Sequence, residues 1–144
     1  MPKSEKSSNL IRFGVSLSTD LLNNFDLYIQ KQNYTNRSEA IRDLIRTELI
    51  KEEWTQKQEI AGAIIFIYDH HVKKLLEKTT EIQHEYEDLI ISTQHIHLDH
   101  RNCLEIIAVK GQPNDAKNLC AKLKALKGIK HAALSMSSTG KEIN

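Results

Sequence analysis

The chain has 144 residues, of which 40% are hydrophobic and 27% charged, and a formal net charge of +1, the balance of an ordinary globular protein. This length allows one average domain or two small ones. The charge gives no basic excess of the kind that marks nucleic-acid binding, so a DNA-binding interpretation must rest on a motif. No apolar run approaches the roughly 20 residues of a membrane span, and the polar N-terminus lacks the apolar core of a signal peptide. We therefore expect a cytoplasmic protein without a membrane partner, whose two cysteines form no disulfide.

The first third of the chain predicts one strand and two helices. Residues 1–9 are polar and predict a disordered arm, whereas residues 11–17 (IRFGVSL) alternate apolar with small or polar residues, as a strand with one apolar face does. Ser18 is placed to cap a first helix that Asn33 ends, and Asn36, with Glu39 three residues later, is placed to cap a second. A lone short strand exposes its backbone edge, so we expect two copies to pair their strands into an antiparallel ribbon. Residues 10–52 are thus predicted to form a dimeric βαα domain.

The remainder of the chain has a different pattern of apolar and charged residues. We expect a charged linker over residues 53–60, a second domain over 61–138 and a tail over 139–144. Apolar patterning predicts strands over 61–68, 89–98, 103–109 and 129–136, the first of them buried on both faces, with a helix over 71–86 and another between Pro113 and Gly128. The order β-α-β-β-α-β is that of the ferredoxin-like fold. The predicted fold class is therefore α+β.

Metal ligands are concentrated in the stretch STQHIHLDHRNCLE, residues 92–105. His95 and His97 are two apart on a predicted strand, so their side chains leave the same face with Cα atoms about 6.8 Å apart. Cys103 begins the adjacent antiparallel strand and can join them. Imidazole with thiolate favours zinc, nickel, cobalt or copper over magnesium or calcium. Two other interpretations fit the same residues: a solvated sheet face for the histidines, and a small buried hydrophobe for Cys103.

The other histidines and the second cysteine carry weaker signals, although six of the seven histidines lie between residues 70 and 100. His84 on a helix fits a surface residue, His100 in a turn is expected to face water, and Cys120 on an apolar stripe is expected in the core. Asp69, His70 and His71 fit either a helix-starting cap with exposed rings or a secondary metal site, and we favour the cap. The chain has no nucleophile elbow, glycine-rich phosphate loop or HExxH motif, so we expect no enzyme.

Two sets of motifs together indicate a family. The segments RFGVSL, LLxxFD and YTNRSEAIRDLIR resemble a ribbon-helix-helix DNA-binding domain, and NRSEAIRD is shared by other repressors of that kind. When YDHH, HIH, CLE and KG follow in this order, the chain resembles the bacterial nickel-responsive regulators of the NikR family over essentially its whole length. The spacing HxHx5CLE after such a domain is the more specific signal. The resemblance implies a ribbon-helix-helix domain followed by an ACT-like, nickel-binding and tetramerising domain.

The resemblance also implies roles for individual residues. His95, His97 and Cys103 are expected to be ligands of a planar site for one Ni²⁺ per subunit, with His84 of a neighbouring chain as the fourth ligand and Glu105 beside the thiolate. The positions expected to face DNA are Arg12, Gly14 and Ser16 on the ribbon, and Asn36, Arg37 and Ser38 at the start of the second helix. Glu39 and Asp43 correspond to acidic positions that can hold a cation between the domains.

One position departs from the family pattern. The middle residue facing the groove is usually Thr or Ser, and here it is Gly14. Glycine permits close approach to DNA but cannot donate a side-chain hydrogen bond to a base edge, so the resemblance does not give the operator sequence.

The expected function is that of a nickel-responsive transcriptional regulator, with nickel as corepressor. A homotetramer, arranged as a dimer of dimers, would bind a palindromic operator in double-stranded DNA when nickel is bound, and would control genes of nickel uptake or of nickel enzymes. A second interpretation is a metal-storage or delivery protein that uses its N-terminal part only to dimerise. A third keeps DNA binding without metal, as in antitoxin-type ribbon-helix-helix proteins.

Overall fold

The structure is a computed structural model that describes residues 9–144; the predicted disordered arm, except for Asn9, lies outside this range. The described residues fall into two compact units, one ending at Arg42 and the other running from Asp43 to Asn144. The elements, in chain order, are α1 (Thr19–Lys31), α2 (Arg37–Glu53), β1 (Ile60–Asp69), α3 (Leu75–Glu85), β2 (Ile90–His97), β3 (Asn102–Gly111), α4 (Pro113–Ala125) and β4 (Ile129–Met136).

Both predicted helix caps of the first unit are confirmed. The Ser18 hydroxyl accepts a hydrogen bond from the Leu21 N–H at 3.3 Å, and the Asn36 side-chain oxygen accepts one from the Glu39 N–H at 2.9 Å. Each bond satisfies an amide that the first helical turn leaves without an intrahelical partner. Asn33, with a φ of 58°, adopts a left-handed conformation just beyond α1 and ends that helix as predicted.

The segment that precedes α1 forms no regular element in this single chain. Residues 9–18 belong to no helix or strand, and all of them are exposed. The side chains of Ile11 and Phe13, for example, are 85% and 69% exposed. A strand needs a hydrogen-bonding neighbour, and the predicted neighbour is the same segment of a second copy. The strand over 11–17, and with it the ribbon, therefore stays a prediction.

The second unit confirms the predicted β-α-β-β-α-β order and is an ACT-like, ferredoxin-like domain. Its four strands form one antiparallel sheet in the order β2-β3-β1-β4. Two helices, α3 and α4, cover one face of this sheet. The fully buried side chains between these layers come from the sheet and from both helices: Ile64, Phe66, Tyr68, Leu75, Cys103, Ile107, Val109, Leu119 and Leu123.

Strand β1 is buried on one face only, contrary to the expectation from its continuous apolar run. Ile64, Phe66 and Tyr68 point to the helices and are fully buried, whereas Ile65 and Ile67 on the opposite face are half-buried. The reason is that both helices lie on the same side of the sheet, so a single chain leaves the other side uncovered.

The pairing of β2 with β3 decides which face carries the predicted ligands. Ile90 pairs with Val109 and Ser92 with Ala108, so Ile91 is a surplus residue in a β-bulge. Beyond the bulge His95 pairs with Glu105 and His97 with Cys103. Residues opposite each other in an antiparallel ladder share a face. Both histidines therefore lie on the same face as the buried Cys103.

The helix predicted over 71–86 begins later than expected. Helix α3 starts at Leu75, because Lys74 has a φ of 63°, which a helix cannot continue through. The Asp69 carboxylate accepts a hydrogen bond from the His71 N–H at 2.9 Å, so it closes the turn after β1 and does not cap the helix. The helix-cap interpretation of residues 69–71 is wrong, although both rings are exposed as that interpretation expected.

The segment predicted to be a charged linker contains a core residue. Trp54 is only 2% exposed, and its indole Nε1–H donates a hydrogen bond to the Ser137 carbonyl at 2.8 Å. A Cβ added at Gly62 would lie 3.1 Å from the indole ring, so the ring packs directly on the backbone of β1. The charged residues around Trp54 led to the prediction of a linker, so the contact of Trp54 with the core was not expected.

Candidate metal centre

Three side chains that can bind a transition metal meet at one end of the sheet. The Cys103 sulfur lies 3.4 Å from Nδ1 of His97 and 3.5 Å from Nδ1 of His70. The three donor atoms all lie within 4.8 Å of one another. Cys103 is buried in β3, whereas the rings of His70, after β1, and His97, at the end of β2, are exposed. The cluster is thus open to solvent on its histidine side.

His95 lies beside this cluster and has a different partner. Its ring centroid is 5.0 Å from that of His97, as expected for alternate residues of one strand. Its Nδ1 lies 3.2 Å from the hydroxyl of Tyr68, which is on β1, on the far side of β3. Of the three ligands predicted from the sequence, the structure brings His97 and Cys103 together and places the His95 ring beside that of His97.

His70 is closer to Cys103 than sequence reasoning expected. Its N–H donates to the Arg101 carbonyl at 3.0 Å, and the Arg101 guanidinium in turn lies 2.8 Å from the Asp69 carboxylate. These bonds hold the turn after β1 against the turn before β3. The ring centroids of His70 and His71 are 4.1 Å apart, and Asp69, His70 and His71 form a second group of converging donors. The alternative prediction of a secondary metal site at these residues stays a prediction.

Two further histidines of the same half lie on the surface. His84, in the last turn of α3, and His100, between β2 and β3, are exposed in this chain. Neither belongs to the donor groups found among residues 9–144. For His100 this agrees with the expectation that it faces water. For His84 the predicted role concerns a neighbouring chain and stays a prediction.

A hydrogen-bonded group that the sequence did not reveal lies behind His95. Glu105, which is buried, accepts a hydrogen bond from the Gln83 amide at 2.9 Å on one oxygen and from the Tyr68 hydroxyl at 3.2 Å on the other. Its second oxygen lies 3.7 Å from Nδ1 of His95. Glu105 was expected beside the thiolate, and its hydrogen bonds place it on the His95 side. Tyr68 could have indicated this group in the sequence, because a tyrosine buried in an apolar strand needs a hydrogen-bond partner for its hydroxyl.

Burial and nearby negative charge both favour the neutral forms of Cys103 and Tyr68. Burial, followed by the nearby carboxylates of Asp99, Glu105 and Asp69, raises the pKa of the Cys103 thiol. Burial also raises the pKa of Tyr68, with the charge of Glu105 adding to the effect. A bound cation has the opposite effect on a thiol, because its charge stabilises the thiolate.

The donors fit a borderline transition metal. Metal–sulfur and metal–nitrogen bonds of about 2.3 and 2.0 Å can span at most about 4.3 Å between donors on one ion, taking zinc as the reference. The separations of 3.4 and 3.5 Å from the Cys103 sulfur are shorter than this limit. Imidazole and thiolate together select such metals over the hard cations magnesium and calcium.

The residues predicted to face DNA all belong to the first unit. Arg12, Gly14, Ser16 and Ser38 are exposed, and the Asn36 side chain is engaged in capping α2. The two nitrogens of the Arg37 guanidinium fork each lie 2.9 Å from an oxygen of Asp26. This pair lowers the pKa of Asp26 and raises that of Arg37. Arg37 thus already has an anionic partner.

The acidic pair expected to hold a cation divides between the two units. Glu39 lies in the first unit, where its carboxylate pairs with the guanidinium of Arg42. Asp43 is the first residue of the second unit, and its carbonyl accepts a hydrogen bond from the Thr47 hydroxyl at 2.9 Å. The predicted cation remains an expectation from the resemblance.

An ACT-like domain with a thiol and imidazoles converging at one end of its sheet has the donor set of a metal-binding domain. Residues 61–137 match the family model described as the NikR C terminal nickel binding domain. The chain belongs to the NikR family of nickel-responsive regulators. This agrees with the resemblance seen in the sequence motifs.

Relatives match over nearly the whole chain. A protein of Syntrophus aciditrophicus named "Putative nickel-responsive regulator" is 61% identical over 133 residues, 92% of this chain and 97% of its own length. Proteins with the same name from Chlorobaculum parvum and Nitratidesulfovibrio vulgaris are 53% and 48% identical, over 91% and 92% of this chain and 98% and 96% of their own lengths. All these relatives are named as regulators.

A solved structure supports the fold alone. The uncharacterized protein TM1266 from Thermotoga maritima is similar over 55% of this chain and 98% of its own, with a TM-score of 0.50 and 11% sequence identity. Among residues 9–144 no helix combines the length and the apolar character that crossing a bilayer requires.

Proposed function

We propose that this chain is a nickel-responsive transcriptional regulator that binds a palindromic operator when each subunit holds one Ni²⁺. The observation that carries the proposal is the convergence of the Cys103 thiol with the imidazoles of His97 and His70 within 4.8 Å, beside His95, in a chain of the NikR family. The active form would be a cytoplasmic homotetramer built as a dimer of dimers. Its targets would be genes of nickel uptake or of nickel enzymes.

The proposed ligands are His95, His97 and Cys103 of one subunit and His84 of a neighbouring subunit. Consecutive residues of a helix point about 100° apart, and the Gln83 side chain is hydrogen-bonded to Glu105 at the site. The adjacent His84 is exposed, which leaves its ring available to another chain. His70 and His71 would form a secondary site next to the first.

The proposed DNA-binding surface is a ribbon shared by two chains. Apolar side chains at Ile11, Phe13, Val15 and Leu17 alternate along an exposed segment, and pairing with a second copy would bury them. The other face, with Arg12, Gly14 and Ser16, would then enter the major groove. The N-terminus of α2, from Asn36 to Ser38, would present N–H groups to a phosphate. Arg37 would reach DNA only by exchanging its Asp26 partner.

Binding of nickel and of DNA would be coupled through the arrangement of the subunits. Nickel held by ligands from two chains supplies a rigid link between them. Such a link raises DNA affinity only as far as it favours the DNA-binding arrangement over others. Coupling free energies of this kind are typically about 1–3 kcal/mol.

Cys103→Ser tests the metal centre, with Cys120→Ser as its matched control because Cys120 is buried in α4 outside the donor groups. Operator binding is measured by gel shift on the upstream region of the protein's own gene, with and without nickel. Nickel titrations followed by absorption report a thiolate-to-nickel charge-transfer band. We expect Cys103→Ser to lose the band and the nickel dependence, and Cys120→Ser to keep both. Unchanged nickel dependence in Cys103→Ser would remove Cys103 from the mechanism.

A complementation experiment tests whether His84 acts between subunits. His84→Ala and Cys103→Ser chains each lack one proposed ligand, so neither homo-oligomer should form a complete site. A mixed oligomer would contain complete sites, each with three ligands from the His84→Ala chain and the His84 imidazole from the Cys103→Ser chain. Recovery of the charge-transfer band on mixing is expected, and no recovery would contradict a ligand supplied by a neighbour.

Arg12→Ala separates regulation from metal storage or delivery. The variant should bind nickel like the unmodified protein and lose the gel shift, because Arg12 lies in the ribbon and not in the metal centre. If the unmodified protein holds nickel and shifts no operator fragment, the storage interpretation replaces this proposal.

A further inference from the structure

A continuous chain of hydrogen bonds runs behind His95, with the buried Tyr68 and Glu105 at its centre. The Thr93 hydroxyl donates to the Gln83 amide oxygen at 3.2 Å, and the Gln83 amide nitrogen donates to Glu105 at 2.9 Å. The Tyr68 hydroxyl donates to the other Glu105 oxygen at 3.2 Å and lies 3.2 Å from Nδ1 of His95. The chain thus runs from β2 through α3 and β3 to β1 and back to β2.

The direction of each bond follows from the chemistry of its groups. The Thr93 bond fixes which end of the Gln83 amide faces Glu105, because the amide oxygen is already used as an acceptor. The two side-chain oxygens of Glu105 accept, and the Gln83 amide nitrogen and the Tyr68 hydroxyl donate to them. A phenol has a single proton, and that of Tyr68 is given to Glu105. The Tyr68 oxygen can then interact with His95 only as an acceptor.

This direction determines the tautomer of His95. A neutral imidazole carries its proton on one nitrogen and is an acceptor, or a metal ligand, at the other. A proton on Nδ1 is required for the hydrogen bond to Tyr68, which leaves the lone pair of Nε2 free. His97 differs, since its Nδ1 faces the Cys103 sulfur at 3.4 Å.

We propose that Tyr68 is a positioning residue that holds His95 as the Nδ1–H tautomer, so that His95 presents Nε2 to a metal, and that Glu105 and Gln83 orient Tyr68 for this task. The two histidines of the HxH motif would then use different nitrogens. This inference rests on the proposed role of His95 as a nickel ligand. It also explains why a buried carboxylate lies in this place, since Glu105 fixes the proton of the phenol.

The test uses Tyr68→Phe, which removes only the hydroxyl. Tyr86→Phe is the matched control, because Tyr86 is a half-buried tyrosine whose ring lies 5.2 Å from the Lys122 ammonium, outside the hydrogen-bond chain. Long-range ¹H–¹⁵N correlation spectra of the nickel-free protein labelled with ¹⁵N-histidine report the tautomer of each neutral ring. A His95→Gln spectrum assigns the signals, and the exposed His131 serves as internal reference. Nickel affinity is measured by competition with a chelator.

We expect His95 to be the Nδ1–H tautomer in the unmodified protein and to shift towards the Nε2–H form in Tyr68→Phe. Nickel affinity should fall about 10–100-fold, the usual effect of removing a partner behind a metal ligand. Tyr86→Phe should change neither. If Tyr68→Phe does not fold, Glu105→Gln provides the same test, because an amide no longer forces the phenol to donate.

Two results would overturn the inference. One is a Nε2–H tautomer for His95 in the unmodified nickel-free protein, and the other is a nickel affinity of Tyr68→Phe equal to that of Tyr86→Phe. Failure of the proposed function is distinguishable from both. An unmodified protein that binds no nickel would contradict the proposed function, while the tautomer is still read in the nickel-free protein.

Discussion

Trp54→Phe tests whether the segment between α2 and β1 is part of the core. Trp54 is 2% exposed, packs against Gly62 and donates its indole N–H to the Ser137 carbonyl at 2.8 Å. Phenylalanine keeps an aromatic ring at this place but has no donor and fills less volume. The substitution therefore removes one hydrogen bond and part of one packing contact, and leaves the charges of the segment unchanged.

The expected loss of stability can be worked out from these two contacts. A hydrogen bond of this type contributes about 0.5–1.5 kcal/mol. The smaller ring buries roughly 40 Å² less apolar surface, which at about 25 cal/mol per Å² corresponds to about 1 kcal/mol. Volume that the neighbours cannot fill adds to this cost. The free energy of unfolding should therefore fall by about 2–3 kcal/mol.

The assay is urea unfolding followed by far-UV circular dichroism, since the variant has no tryptophan left for fluorescence. All variants are compared at one protein concentration, because association also contributes to apparent stability. Lys57→Ala, at an exposed position of the same segment, is the control and should change the free energy by no more than about 0.5 kcal/mol. A Trp54→Phe variant as stable as Lys57→Ala would refute the assignment of Trp54 to the core.

Two further predictions concern stability. Gly62→Ala should lower the free energy of unfolding by about 1–3 kcal/mol, because the added Cβ would lie 2.6 Å from the Ser135 carbonyl oxygen. Thermal melts measure the loss, and Gly14→Ala is the control that should show none, because a Cβ there meets nothing within 4 Å. Asp26→Asn should destabilise the protein near neutral pH and at low salt, because Arg37 lowers the pKa of Asp26 in the folded chain. That stabilisation is present above the unfolded pKa of about 3.9 and is lost as the pH falls through the folded value, so the difference between the two proteins should vanish in acid; a difference that persists there would contradict it.

Sequence patterns predicted the elements that depend on local periodicity and capping. Strand β4 has the predicted bounds of residues 129–136, and the caps at Ser18 and Asn36 are made as predicted. Alternating and helical spacings are determined within a few residues, so a single sequence contains them. The shared face of His95 and His97 follows from the same rule, because alternate residues of a strand always lie on one side.

Features that depend on distant residues were not predicted. The late start of α3 follows from the left-handed backbone of Lys74. Nearby, Val72 packs close to the distant Gly128, where an added Cβ would lie 3.2 Å from it. His70 reaches Cys103 because its backbone bonds to Arg101, a contact across about thirty residues that no local pattern contains. Gln83 was missed for the same reason, since only the fold brings it to Glu105.

The predicted ribbon shows a different limit of prediction from a single chain. Residues 9–18 have the alternation of a strand, yet a strand is defined by its neighbour, and here the predicted neighbour is another molecule. A pattern in one chain can therefore indicate a partner that one chain cannot contain.

The bulge at Ile91 has a consequence for how this strand could be altered. Regular pairing from Ile90 onwards would place Ile91 opposite Ala108 and, four residues later, His95 opposite Leu104, on the side of the sheet turned away from the sulfur. The extra residue in the bulge turns His95 and His97 to the face that carries Cys103, and it leaves the large apolar side chain of Ile91 63% exposed. Inserting a residue between Ile91 and His95 would turn both histidines of β2 to the opposite face of the sheet, where they could no longer meet the Cys103 sulfur.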